Sequence, residues 1–99
     1  MTQTCTVILE GSFHIGGKSS PEFEEYSRRS NANGEAHGGV VLSHYLISEN
    51  LGQGEKPEFI LVIQYPTREN AKQAFTCDEY NQIIPLRNKV FKEVKILLV

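Results

Sequence analysis

The sequence predicts an α+β sandwich: a four-stranded antiparallel sheet with two helices on one face, in the order βαββαβ. Three observations predict it. Apolar, β-branched runs occur at 4–11, 38–48, 59–65 and 90–99. Segments with helix-cap chemistry separate the first run from the second and the third from the fourth. Between the second and third lies only a polar turn, "ENLGQGEKPE", suited to a hairpin.

Each element has its own warrant. "TCTVILEG" reads as the first strand, and "SFHIGGKSS" follows as a glycine-rich loop. Ser20 before Pro21 is an N-cap with proline at the first helical position, and Glu22, Glu24 and Glu25 suit the positive end of the helix dipole. The helix "PEFEEYSRRSNANGEAH" carries Phe23, Tyr26, Ser30, Asn33 and His37 along one face, and Asn33 with Gly34 predicts weak final turns. Gly38 and Gly39 form its stop signal and open the second strand. Pro66 ends the third strand. Thr67 caps a short helix, "RENAKQAF", with an apolar side of Ala71, Ala74 and Phe75. Asp78 is expected to cap one more turn, "EYNQII", that Pro85 ends. "VFKEVKILLV" is the last strand. The 99 residues make one domain, 1–99, with the ferredoxin-like arrangement of elements.

Two helices cover one side of such a sheet. A wetted second side would show strands alternating apolar and polar residues. The third strand instead sets Phe59, Leu61, Ile63 and Tyr65 against Ile60 and Val62, and the last sets Val94, Ile96 and Leu98 against Leu97 and Val99. In the second, Val40, Leu42 and Leu46 are expected opposite Val41, Tyr45 and Ile47. A face this apolar exceeds what a monomer usually exposes, so an identical sheet is expected to cover it, giving a homodimer through the open sheet face. A chain this short buries only roughly 60–65% of its unfolded surface, which makes association a natural supplement.

Composition excludes several classes. A formal charge of −2 with no basic stripe argues against nucleic-acid binding. The apolar runs are strand-sized and too short for a membrane span. "MTQTCTVILEG" lacks a charged start and a cleavage site, and Cys5 and Cys77 form no CxxC pair or disulfide framework, so a reduced, cytoplasmic chain is expected.

The segment "QYPTRENAKQAFTCDEYNQIIPLR" resembles the signature of the family called domain of unknown function 1330, within the dimeric α/β-barrel superfamily. Tyr65, Pro66, Thr67, Glu69, Ala71, Phe75, Glu79, Tyr80, Leu86 and Arg87 fit its pattern, as do the preceding strand and Gly38–Gly39. Ala74 departs from it, standing where the family often carries tryptophan, and Cys77 and Asp78 stand where Ser-Pro is common. The resemblance implies that two βαββαβ chains pair through their open sheets to close a barrel. It supplies no activity: the wider superfamily holds cofactor-free monooxygenases, isomerases, haem enzymes and simple binding domains.

Tyr80 and Arg87 are the first candidate catalytic residues, since a phenol and a guanidinium near a helix end suit a carboxylate or enolate oxygen. The structural alternative has Tyr80 anchoring its turn and Arg87 binding orphan carbonyls at the turn's end. His44, expected on a central strand between Leu42 and Leu46, is the histidine placed to act as a base, or else a hydrogen-bonded structural residue. Tyr26, Ser30, Asn33 and His37 are candidate ligand-binding residues between helix and sheet, a mixed aromatic and polar lining where plain scaffold would use Leu or Ile. His37 alternatively serves the helix dipole. No histidine pair has helical metal-site spacing, so no metal and no cofactor are expected. "FHIGGKSSP" lacks phosphate-loop spacing, and Cys77 lacks a cationic neighbour to activate it. The expected function is binding or transforming a small organic acid or aromatic compound. The alternative is a non-catalytic dimerisation or stress-associated module.

Overall fold

The computed structural model describes residues 3–99. The elements run β1 (Cys5–Phe13), α1 (Pro21–Ala36), β2 (Val40–Leu46), β3 (Phe59–Tyr65), α2 (Arg68–Thr76), α3 (Asp78–Val90) and β4 (Phe91–Leu98), with a short 3-10 turn at Gly17–Ser19. The four strands form one antiparallel sheet in the order β2-β3-β1-β4, and all three helices belong to one layer, an α+β fold of ferredoxin-like type.

The helix starts follow the caps. The Ser20 hydroxyl accepts from the Phe23 N–H at 3.2 Å with Pro21 in the first turn, and the Thr67 hydroxyl accepts from the Asn70 N–H at 3.0 Å. At the end of α1, Gly38 (φ 83°) turns left-handed. Its N–H donates to the Glu35 carbonyl at 2.9 Å while that of Gly39 donates to Gly34 at 2.8 Å, the paired bonds of a Schellman motif. A side chain on Gly39 would sit 2.8 Å from the Tyr65 ring, so glycine lets strand and helix end close on that tyrosine. The weak final turns expected at Asn33–Gly34 are not observed. The helix runs on to Ala36 because Asn33 is buried and bonded.

The second helical region differs from expectation. Cys77 occupies the cap position without a side-chain bond, and Asp78 is the first residue of α3. Pro85 does not end the helix, which continues to Val90. Its buried stripe, Tyr80, Ile83 and Val90 with Arg87 between, crosses the proline, so packing outweighs the roughly 3 kcal/mol that an interior proline costs.

Residues opposite each other on neighbouring strands share a face. On the helix side, Val7, Leu9 and Gly11 of β1 meet Ile63, Leu61 and Phe59 of β3 and Leu98, Ile96 and Val94 of β4. The register between β2 and β3 shifts at Leu42, a bulge that reverses half of the expected sidedness of β2. Val41, His44 and Leu46 lie on the helix side, opposite Ile63, Leu61 and Phe59, whereas Val40, Ser43 and Tyr45 share the open side with Gln64, Val62 and Ile60. His44 is therefore on an edge strand, not a central one, and is exposed.

The core falls into two contiguous parts. Cys5, Val7, Leu9, Tyr65, Ala71 and Ala74 pack beneath α2, and Tyr26, Phe59, Tyr80, Ile83, Val90 and Phe91 pack beneath α1 and α3. Among the described residues no helix covers the open side, and these residues span 41 × 32 × 17 Å. The sheet's two edges contrast. β4 exposes Lys92, Glu93 and Lys95, whereas β2 has no acidic or basic Asp, Glu, Lys or Arg, and its Val40, Val41, Leu42, Tyr45 and Leu46 are 53% to 65% exposed.

Candidate functional site

The inward face of α1 brings Tyr26, Ser30 and Asn33 toward the sheet, at a spacing of one helical turn each. Across from it α3 presents Tyr80 and Arg87, two turns apart. Tyr26 and Tyr80 meet edge to face, ring centroids 6.4 Å apart, with their hydroxyl oxygens at 2.9 Å. Arg87 Nη1 donates to the Tyr80 oxygen at 3.4 Å, and its guanidinium carbon lies 5.7 Å from the centre of that ring. Among the described residues, Arg87 Nε is a buried donor without a protein acceptor. Arg87 thus serves a phenol rather than the helix-end carbonyls; the Arg87 carbonyl accepts from the Phe91 N–H.

Burial raises the Tyr26 phenol far above its ordinary value, reinforced by the charge and hydrogen bond of Tyr80 and opposed without reversal by Ser30 and Arg87. Tyr65 is pushed up to about 12, first by burial and then by Tyr80. Both remain neutral phenols across the physiological range and supply no base there.

The other candidates separate. Asn33 Nδ2 donates to the Ala74 carbonyl at 2.7 Å, and its Oδ1 accepts from Cys77 Sγ at 3.4 Å, tying α1 to the α2–α3 junction. His37 Nδ1 lies 2.8 Å from the Asn33 carbonyl, so this nitrogen carries the proton, and the His37 carbonyl accepts from Asn70 Nδ2 at 3.1 Å. These bonds close the end of α1. His44, on the outer strand, is not brought to this cluster.

Between α1, the sheet and the α2–α3 junction lies a cavity of about 460 Å³. Its floor is Leu9, Leu61, Ile63 and Tyr65 from the sheet, and its far wall Ala74, Phe75 and Tyr80. Ser30, Asn33 and Gly34 of α1 form the near wall, and the exposed Asn31, Glu35, Val40 and Val41 rim it. Of the proposed site residues, Ser30, Asn33 and Tyr80 line this space, while Tyr26 and Arg87 stand behind Tyr80. Sequence reasoning missed Tyr65 and Phe75 as lining. Their signal was present: alternation along β3 puts Tyr65 on the side of Leu61 and Ile63, and Phe75 shares the apolar side of α2. Ala74, where the sequence departs from the family pattern, is a wall of the cavity and leaves it open. Among the described residues no three His, Cys, Asp or Glu side chains converge as metal ligands.

Residues 13–99 match the model of the family named domain of unknown function 1330, DUF1330. The chain belongs to the DUF1330 family. Among solved structures the DUF1330 chain resembles RPA0582, a protein of unknown function from Rhodopseudomonas palustris, with a TM-score of 0.81 at 13% identity over 100% of this chain and 82% of that one. It resembles SnoaB, a cofactor-independent oxygenase from Streptomyces nogalater, with a TM-score of 0.67 at 13% identity over 99% and 92%. A dimeric protein of unknown function and ferredoxin-like fold from Bacteroides fragilis gives 0.61 at 12% identity over 100% and 98%. These likenesses show the fold. No curated protein matches the DUF1330 chain. Among the described residues no helix is long and apolar enough to cross a membrane.

Proposed function

We propose that this DUF1330 protein is a homodimer whose protomers each bind, or transform without a metal, a small organic compound in the cavity between α1 and the sheet. The observation that carries this reading is the cavity itself. At about 460 Å³ it falls within the range of small-ligand sites, and it joins apolar walls to a few polar groups held in place. In this reading Tyr80 is the working hydroxyl, with Arg87 donating to its oxygen and Tyr26 completing the bond network. Ser30 and Asn33 contribute polar edges, His37 acts through Asn33, and His44 has no part in the cavity.

Dimerisation rests on the uncovered side of the sheet. Ile8, Val62, Ile60, Tyr45 and Leu97 share that side by register. A second copy of the same face is the economical cover for it.

A second reading, a dimerisation module without a ligand, draws on Asn33 and His37, whose polar groups are engaged in holding backbone. A thermal-shift screen of small organic compounds separates the two. A true ligand at a hundred times its Kd adds about 2.7 kcal/mol, a rise on the order of 10 °C for a domain of this size. That rise should shrink in Tyr80→Phe and Arg87→Ala. A screen in which no compound moves the melting temperature favours the module.

A further inference from the structure

Resting on the cavity reading above, we infer that the ligand is an uncharged aromatic molecule with a hydroxyl or carbonyl group, and that the site discriminates against organic acids. Among the described residues lining the cavity, Glu35 is the one charged side chain, and it stands at the rim. No lysine, arginine or histidine reaches the lining. The nearest guanidinium, Arg87, is behind Tyr80 and directed to its hydroxyl. A carboxylate entering this space would pass Glu35, approach the negative end of α1 and lose its water without gaining a cation. Burying an unpaired anion is strongly unfavourable, so the acid form of a given skeleton binds worse than its neutral counterpart.

An ammonium group fares little better inside. The Glu35 carboxylate is exposed at the rim, where water screens it, and within the walls there is no negative side chain to replace the lost hydration. What the interior offers is ring surface. Tyr65 and Phe75 stand edge to face with centroids 6.2 Å apart, and Phe75 and Tyr80 likewise at 5.3 Å. A flat aromatic ligand extends this pattern over the Leu61 and Ile63 floor, and its oxygen meets the Ser30 and Tyr80 hydroxyls.

The test uses three probes of one shape, naphthol, naphthoate and naphthylmethylamine, titrated into the full chain at neutral pH. Calorimetry gives the affinity, and NMR shifts at Leu61, Ile63 and Tyr65 locate the binding. The expected result is that naphthol binds with shifts at all three residues and naphthoate is weaker by about tenfold or more. Glu35→Lys should then narrow that gap by strengthening naphthoate more than naphthol. Naphthoate binding as tightly as naphthol overturns the inference, and loss of that binding in Arg87→Ala would show the arginine turning inward to take an acid. Tighter binding of the amine, abolished by Glu35→Gln, overturns it in the other direction. In either case the cavity reading stands. If no probe shifts Leu61, Ile63 or Tyr65, the cavity reading falls and takes this inference with it.

Discussion

The hydroxyl oxygens of Tyr26 and Tyr80 lie 2.9 Å apart across the packing of α1 on α3, and Arg87 donates to the second of them. Each hydroxyl is the other's partner inside the protein. Tyr26→Phe leaves Tyr80 with Arg87 and should cost about 1 kcal/mol. Tyr80→Phe strands both the Tyr26 hydroxyl and the guanidinium, and should cost about 1–3 kcal/mol. The double variant should cost less than the two losses added, because one bond is counted in both. Urea unfolding of the four proteins measures this coupling, and strict additivity would mean that the two phenols act independently.

The same burial sets an alkaline limit. Tyr65 is raised from an ordinary 10.0 to about 12 and Tyr26 is raised further, so the folded protein holds protons that the unfolded chain releases. Their contribution is complete below pH 10.0 and is lost as pH rises from there through the folded values. Stability in urea should be insensitive to these groups at neutral pH and decline from about pH 10 to 12. Tyr26→Phe and Tyr65→Phe should each flatten the decline. An unchanged slope in both variants would place the alkaline loss elsewhere.

Charge on the open side of the sheet should separate the protomers. Ile60 and Val62 lie at the middle of that side on the central strand β3. Ile60→Lys and Val62→Lys should yield particles of 11.2 kDa by light scattering, where the native chain is expected to give twice that mass. A native chain that scatters as 11.2 kDa at micromolar concentration would remove the dimer.

Asn33 is expected to matter more for stability than for binding. Asn33→Ala leaves the Ala74 carbonyl and the Cys77 thiol without their partner and should cost about 1–3 kcal/mol. Chemical denaturation checks the size of the loss. Ligand affinity measured well below the melting point should change far less, and a large loss of affinity at full stability would make Asn33 a ligand contact.

Ala74→Trp should fill the cavity from its wall. Any compound that stabilises the native chain should lose its effect in this variant, while circular dichroism remains that of the native fold. Retained binding would locate the site away from Ala74.

The fold was legible where local chemistry and burial agree. Ser20–Pro21 and Thr67 place two helix starts, and alternation along β3 names its core side. It was not legible where packing opposes a local rule. Pro85 reads as a stop, but Ile83 and Val90 on either side of it are both fully buried, and that stripe carries the helix across. The bulge at Leu42 leaves no mark in the run "VVLSHYL", because the flanking Val41 and Ser43 are apolar or small and either register looks plausible. That hidden step reassigns Val41, and His44 appears central only if the strand order is unknown. Within the site, Tyr80 and Arg87 stand out as a pair near a helix end and Tyr26 as part of the α1 lining, and the three meet through space. Asn33 and His37 stand out as part of the same lining, yet their polarity serves the end of α1. A sequence shows that a polar group faces inward, not whether a backbone atom is waiting there for it.

The unlike margins of the sheet bear on how far assembly can proceed. Strand addition along β2 has no charge to deter it, whereas the Lys92, Glu93 and Lys95 side of β4 resists a dry, in-register neighbour. A polymer needs two receptive ends on every unit; this chain offers one. Association through the greasy margin alone is therefore self-terminating, and a growing fibre would need the open face as a second contact on each chain.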